Sequence, residues 1–255
     1  MKTILNTLLA GIIFAGIMSA TSCKKDDDPA PVVQTGNANI RFDYVFGSNM
    51  LPWEIGKTMV HPKTGDTLTF TTFRFYVSNI RLKKSDGTWW AQPDSYYLVD
   101  AAVTDGSLMK ITNIPVGTYT AMEYTLGVDS ARNVSGANTG ALSLSNGMYW
   151  DWNSGYIMLK AEGNSPQAPN GGFAFHLGGF TGTYNVVTVK TADFGTSPLV
   201  VATDKTQTVK MLANPARLWH TSPSVSVLTT IHAPGPEAVQ MAQDFYGNVS
   251  FTGIE

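Results

Sequence analysis

Several residue types and motifs are scarce in this sequence of 255 residues, and each scarcity excludes a class of protein. A single cysteine rules out an internal disulfide. Only 14% of the residues are charged and the net charge is −2, so a nucleic acid is not expected as a partner, since phosphate binding needs a basic surface. No apolar run is long enough for a membrane-spanning helix. Walker-type phosphate loops, Gly-x-Ser-x-Gly elbows and His-Glu-x-x-His helices are all missing. We therefore expect a protein that is not an enzyme, with no catalytic residue to name.

The amino terminus has the pattern of an export signal. A basic Met1-Lys2 is followed by an apolar region from Ile4 to Met18 and by small residues up to Cys23. The pattern resembles a bacterial lipobox, which predicts a lipoprotein signal peptide at residues 1–22 and a lipid anchor on Cys23. The alternative is an ordinary signal peptide with an incidental cysteine.

Residues 23–37 are predicted to form an acidic, proline-containing tether. Three consecutive aspartates, Asp26 to Asp28, precede Pro29 and Pro31, a composition typical of extended chain without regular structure. The acidic run also resembles the surface-export signal of Bacteroidetes lipoproteins. We thus expect an outer-membrane lipoprotein, attached through lipid on Cys23, and exposed at the cell surface if the sorting interpretation holds.

The remainder, residues 38–255, is predicted to be one β domain. Short stretches rich in β-branched and aromatic residues recur about every ten residues between Gly- and Pro-containing turns, which favours an antiparallel β-sandwich. The main predicted strands are Ala38–Phe46, Thr67–Leu82, Tyr96–Val99, Leu108–Ile111, Thr183–Val189, Leu199–Ala202 and Thr206–Leu212. One short C-terminal helix, Pro236 to Tyr246, is predicted from its helical spacing, its proline start and the glycine that follows.

Aromatic, thioether and imidazole side chains are concentrated between Gly147 and Gly179. Trp150 and Trp152 would share one face of a strand, and His176 lies opposite the alternating Phe173, Phe175 and Leu177. The order Met-Tyr-Trp-x-Trp-x-x-Gly-Tyr, then Glu-Gly, then Phe-x-Phe-His-Leu-Gly-Gly resembles the MbnP-like copper-binding family. Further matching segments are Phe73–Leu82 and Thr125–Asp129, so that the resemblance covers roughly Ala38 to Thr188.

The resemblance implies copper binding at the cell envelope. In copper-binding members, a partner dihaem enzyme of the peroxidase type oxidises a Trp to kynurenine, which holds the metal together with His. Carried over, this implies His176 as a ligand and Trp150 or Trp152 as the modified residue, and imidazole does suit copper. His232, just before the predicted helix, is the second choice of ligand. The alternatives are an ordinary strand histidine and two Trp that fill an aromatic core.

Three residues are candidates for a supporting position around the ligands, namely Met148, Asp129 and Asn133. Family members from methanotrophs carry paired Cys and an Asn-His pair, where this chain has Gly179–Gly182 and Asn133 without His. Asp129 and Asn133 offer harder oxygen atoms, which suit Ca²⁺ or a structural hydrogen bond.

The other two histidines are given structural roles: His61, beside a turn, is expected to face solvent, and His220 to lie in a loop. Three functions follow from these observations. The first is a copper-binding lipoprotein. The second is a metal-free binding or scaffold lipoprotein that recognises a glycan, a peptide or a membrane partner through Trp-rich loops; its Trp residues are Trp53, Trp89, Trp90, Trp150 and Trp152. The third is an enzyme.

Overall fold

The computed structural model describes residues 33–103, 105–135, 138–151 and 154–255. The predicted signal peptide, the lipid anchor Cys23, most of the predicted tether and Trp152 lie outside these described residues. Residues 33–255 form one compact unit. Neither α-helix in the described part of the chain combines the length and the hydrophobicity needed to cross a membrane.

The protein is mostly β, with 48% of the residues in strands and 13% in helices. The strands of the described residues are β1 (Thr35–Phe46), β2 (Leu51–Pro52), β3 (Thr58–Val60), β4 (Thr67–Lys84), β5 (Trp89–Ala91), β6 (Tyr96–Asp100), β7 (Leu108–Pro115), β8 (Gly117–Leu126), β9 (Tyr149–Asp151), β10 (Gly155–Asn164), β11 (Gly172–Gly178), β12 (Thr188–Asp193), β13 (Leu199–Val201), β14 (Gln207–Ala213), β15 (Thr230–Ile231) and β16 (Ser250–Ile254). The helices are α1 (Ser130–Asn133) and α2 (Pro236–Tyr246), with 3-10 turns at Gly140–Leu142, Leu144–Asn146, Gly182–Tyr184 and Pro215–Trp219.

The strands form two mixed sheets rather than purely antiparallel ones. The smaller has the order β16-β14-β1-β2, with β7 also paired to β1, and the larger, strongly curled into a half-barrel, has the order β12-β8-β4-β10-β11-β15. Two pairings, β1 with β14 and β11 with β15, are parallel. The prediction of a mostly β fold is therefore confirmed, and the prediction of purely antiparallel sheets is wrong at these two pairings, since the other strand pairs of the described residues are antiparallel.

An aromatic core joins the two sheets. Along β1 every second residue from Gly36 to Phe42 is buried, as period-two alternation requires of a strand with one face on a core. Phe42 of the smaller sheet packs edge-to-face on Phe75 of the larger one, with ring centroids 5.1 Å apart. Phe245 of α2 contacts the same Phe75 at 5.6 Å, so that the C-terminal helix is part of this core.

The predicted C-terminal helix is confirmed with the same bounds, Pro236–Tyr246. Two other predictions need correction. A second helix, α1, is present, because Asp129 caps its first turn by accepting a hydrogen bond from the amide of Arg132. The predicted strand Thr183–Val189 begins instead as a 3-10 turn at Gly182–Tyr184, and β12 starts only at Thr188.

Candidate metal centre

His176 and His232 come together at the edge of the larger sheet. Phe173, Phe175 and Leu177 of β11 point into the core, which leaves His176 on the opposite face. β15 runs parallel to β11 with Phe175 beside Ile231, so the next position along each strand places His176 beside His232. The sequence predicted both histidines as ligands, and the structure brings them into contact.

The two imidazoles meet through their Nδ1 atoms, which lie 3.1 Å apart, with the rings perpendicular at 89°. The Nε2 atom of His176 lies 2.7 Å from Oε1 of Glu162. Since a carboxylate only accepts hydrogen bonds, Nε2 of His176 carries a proton, and in the neutral ring its Nδ1 holds the lone pair. The hydrogen-bond network thus assigns Nδ1 of His176 as the nitrogen available to a metal.

The electrostatics keep His176 neutral. Its side chain is 13% exposed, and burial lowers its pKa from the ordinary 6.5; the Glu162 carboxylate raises it, while the nearby Lys160 lowers it, and the net shift is downward. Partial burial raises the pKa of Glu162, but hydrogen bonds from His176 and Thr72 lower it by more. The net effect is a pKa below the usual value of a glutamate, so that this carboxyl is ionised. A neutral imidazole is the form that binds metals.

Glu162 is the residue of this site that the sequence prediction missed. It lies on β10, whose Lys160 pairs directly with His176, and its side chain reaches His176 diagonally across the strands. Part of the signal was present in the sequence, because Lys160 and Glu162 are the two charged residues of this strand. The pairing register that brings these two residues to His176 could not be predicted from the sequence.

Trp150, of β9, lies on the same face as the two histidines. Its half-buried indole covers Gly178, where an added Cβ would overlap the ring. Gly178 follows His176 by two residues on β11, a separation of about 7 Å along a strand. Trp150 therefore covers β11 two residues beyond His176, whereas Trp152 lies outside the described residues.

Asp129 occupies a structural position. Its carboxylate caps α1, accepts a hydrogen bond from Nδ2 of Asn79 at 3.0 Å and accepts another from the hydroxyl of Tyr96 at 2.5 Å. Partial burial raises the pKa of Asp129, but these hydrogen bonds lower it more, to below its usual value. Both carboxylate oxygens are thus already used within the protein.

Asn133 and Met148 are also internal. The Asn133 amide donates to the carbonyl oxygens of Val128 and Asp129, and its Oδ1 accepts from the amide of Tyr156 at 2.8 Å. Asn133 thereby joins α1 to β10. The side chain of Met148 is fully buried in the core, and its backbone carbonyl accepts a hydrogen bond from Ile157.

His61 and His220 lie apart from this pair in their contacts. The expectation that His61 faces solvent is wrong: it is 3% exposed, because it packs on Phe46 and Trp219 and donates from Nε2 to the carbonyl of Ala216. His220, at the end of a 3-10 turn, is exposed, as a loop position predicts.

The Trp residues of the described chain do not present one common surface. Trp53 is 6% exposed and packs edge-to-face on Phe70 in the core. Trp89 is 37% exposed and stacks under the guanidinium of Arg81 at 5.0 Å. Trp53 is thus not available for the stacking on a glycan that the alternative function would require of it.

The donor set is a pair of imidazoles rather than a complete coordination shell. In the described part of the chain, no three His, Cys, Asp or Glu side chains are grouped as a metal site. Glu162 binds the far nitrogen of His176, so it orients the ring and does not face the gap between the Nδ1 atoms. Any further ligand would have to come from outside this set.

Comparison with known proteins identifies the family. The family model MbnP matches residues 35–233, more than three quarters of the chain, and the protein therefore belongs to the MbnP family. The solved structure of MbnP from Methylosinus trichosporium is similar, with a TM-score of 0.54 and 18% identity, over 81% of this chain and 88% of that one. At this identity the likeness shows a shared fold. Comparison with curated proteins finds no match.

Proposed function

We propose that this protein binds copper between His176 and His232 and serves in copper capture or handling at the cell envelope. The observation that carries the proposal is the contact between the two Nδ1 atoms at 3.1 Å on the outer face of the larger sheet. The matched region, residues 35–233, contains both histidines, Glu162 and Trp150.

The spacing of the two nitrogens fits a shared metal ion. With metal–nitrogen distances of about 2.0–2.1 Å, the observed 3.1 Å separation corresponds to an angle at the metal of about 95–102°. Such an angle lies between the square-planar and tetrahedral values, and imidazole is a preferred ligand of copper. The proton now shared between the two Nδ1 atoms would leave when a metal binds.

Trp150 supports the same proposal. Its indole lies over Gly178, on the strand and face that carry His176. If a dihaem enzyme of the peroxidase type oxidises a Trp here, as the family resemblance implies, Trp150 is the candidate, because its ring covers β11 two residues beyond His176. The proposed location, an outer-membrane lipoprotein held by lipid on Cys23, is carried by the sequence pattern of residues 1–23.

The test is a copper titration of the protein comprising residues 30–255, with Cu(I) and Cu(II) each followed by calorimetry. We expect stoichiometric binding that is lost in His176→Ala and His232→Ala. His220→Ala, an exposed histidine outside the site, is the matched control and should bind normally. Absence of binding, or binding indifferent to both substitutions, would refute the proposal for the unmodified chain. Mass spectrometry of the native protein for kynurenine at Trp150 then decides whether modification is required.

A further inference from the structure

A cationic cleft lies among residues outside the candidate metal centre. It is formed by the loop after β1, the turn after β3 and the 3-10 turn Pro215–Trp219, and has a volume of about 180 Å³. Two cations, Lys63 and Arg217, line it together with His220 and the hydroxyl-bearing Ser48. No Asp or Glu is among its lining residues in the described chain.

Arg217 differs from the other arginines because it has no carboxylate partner among the described residues. The protein has five arginines, and four of them are paired with carboxylates: Arg41, Arg74, Arg81 and Arg132. Arg217 makes no ion pair with any carboxylate in the described part of the chain. The protein as a whole has a net charge of −2, but an arginine without a carboxylate partner makes the electrostatic potential inside this cleft positive.

The side chains of Lys63 and Arg217 are held in place by hydrogen bonds that use only some of their N–H groups. The ammonium of Lys63 donates to the carbonyl of His220 at 2.6 Å, which leaves two of its three protons. A guanidinium nitrogen of Arg217 lies 3.4 Å from Nδ1 of His220, and most of the five N–H groups of Arg217 have no protein partner. Both cations are therefore anchored on His220 with donors to spare.

His61 forms a neutral wall of the cleft. Its Nε2 donates to Ala216 and its Nδ1 accepts from the backbone amides of Lys63 and Thr64, so both ring nitrogens are used and the ring carries no charge. Burial lowers the pKa of His61, and the positive charges of Lys63 and Arg217 lower it further, against the opposing effects of Ala216 and Asp66. The same positive charges would attract an anion.

We propose that this cleft binds a phosphate-sized oxyanion, held by charge-assisted hydrogen bonds from Lys63 and Arg217. Arginine presents a planar fork that matches the oxygens of phosphate and sulfate, and lysine adds a compact positive charge. The volume admits such an ion together with water. The proposal is independent of copper, because none of the cleft residues contacts His176 or His232 in the described chain.

Inorganic phosphate is the probe, titrated into the full chain by calorimetry at low ionic strength. We expect saturable binding to one site, weakened about 10- to 100-fold in Arg217→Gln, since a hydrogen bond to a charged group contributes about 1.5–3 kcal/mol. Lys63→Gln should weaken binding in the same direction. Lys57→Gln, an exposed lysine outside the cleft, is the matched control and should bind as the unaltered protein does.

Circular dichroism of each variant separates loss of a site from loss of the fold. If Arg217→Gln does not fold, Lys63→Gln decides. His176→Ala should keep phosphate binding, and Arg217→Gln should keep copper binding, so the failure of one proposal is distinguishable from that of the other. Sulfate should compete with phosphate, whereas acetate should compete more weakly. No saturable binding of phosphate, or binding unchanged by both cleft substitutions, would overturn the inference.

Discussion

Replacing Glu162 by glutamine is expected to weaken copper binding by about 10- to 100-fold, the usual effect of losing a carboxylate that orients a histidine ligand. The carboxylate holds Nε2 of His176 at 2.7 Å and so leaves Nδ1 as the acceptor that faces His232. Glutamine has the same shape but no charge, and its amide group can donate to Nε2, which would move the ring proton to Nδ1. The loss corresponds to about 1.4–2.7 kcal/mol of binding free energy.

Two measurements test this reasoning. Competition with a copper chelator gives the dissociation constants of the unaltered protein and of Glu162→Gln, and the ¹⁵N shifts of the metal-free His176 ring report which nitrogen carries the proton. The matched control is Glu54→Gln, an exposed glutamate with no ion pair in the described chain. Unchanged affinity together with unchanged ring shifts in Glu162→Gln would refute the orienting role, even if His176→Ala abolished binding.

Two further predictions concern stability and packing. Because burial lowers the pKa of His61 below 6.5, the unfolded chain takes up a proton there that the folded chain does not, and the free energy of unfolding should fall as the pH drops below 6.5. Urea denaturation at about pH 7.5 and about pH 5.5 should show that this fall in the free energy of unfolding is smaller in His61→Gln than in the unaltered protein, and an equal fall would contradict the buried neutral ring. Gly178→Ala should destabilise the protein by about 1–3 kcal/mol, since the added Cβ overlaps the Trp150 ring and the carbonyl oxygen of Tyr156, whereas Gly172→Ala in the same strand has room for the methyl group. Thermal unfolding and Trp fluorescence check this, and equal melting temperatures of the two variants would contradict the described packing at Gly178.

Features specified by neighbouring residues were predictable from the sequence. The bounds of α2 follow from Pro236 at its start and Gly247 after its end, and the structure has the same helix. The alternation of Phe173, Phe175 and Leu177 placed His176 on the face away from the core, where it lies. Both are local signals that a strand or a helix carries within itself.

Features specified by distant partners were not predictable in this way. The parallel pairing of β11 with β15 depends on residues far apart along the chain, and no alternation within either strand indicates its direction. Glu162 was missed for the same reason, since only the register between β10 and β11 brings it to His176. His61 was assigned to the surface because it precedes a turn, but aromatic rings from two other segments, those of Phe46 and Trp219, cover it.

The parallel junction of β11 and β15 has a consequence for the order of events during folding. The two histidines are 56 positions apart, and the intervening chain includes β12, β13, β14 and the buried Trp219. Contacts of such long range form late, because the entropy of closing the loop must be overcome before they contribute. We therefore expect the two imidazoles to remain apart until that stretch has folded. The two histidines thus meet only when β15 has paired with β11. The capacity to hold a metal would therefore arise with the native structure and not before it.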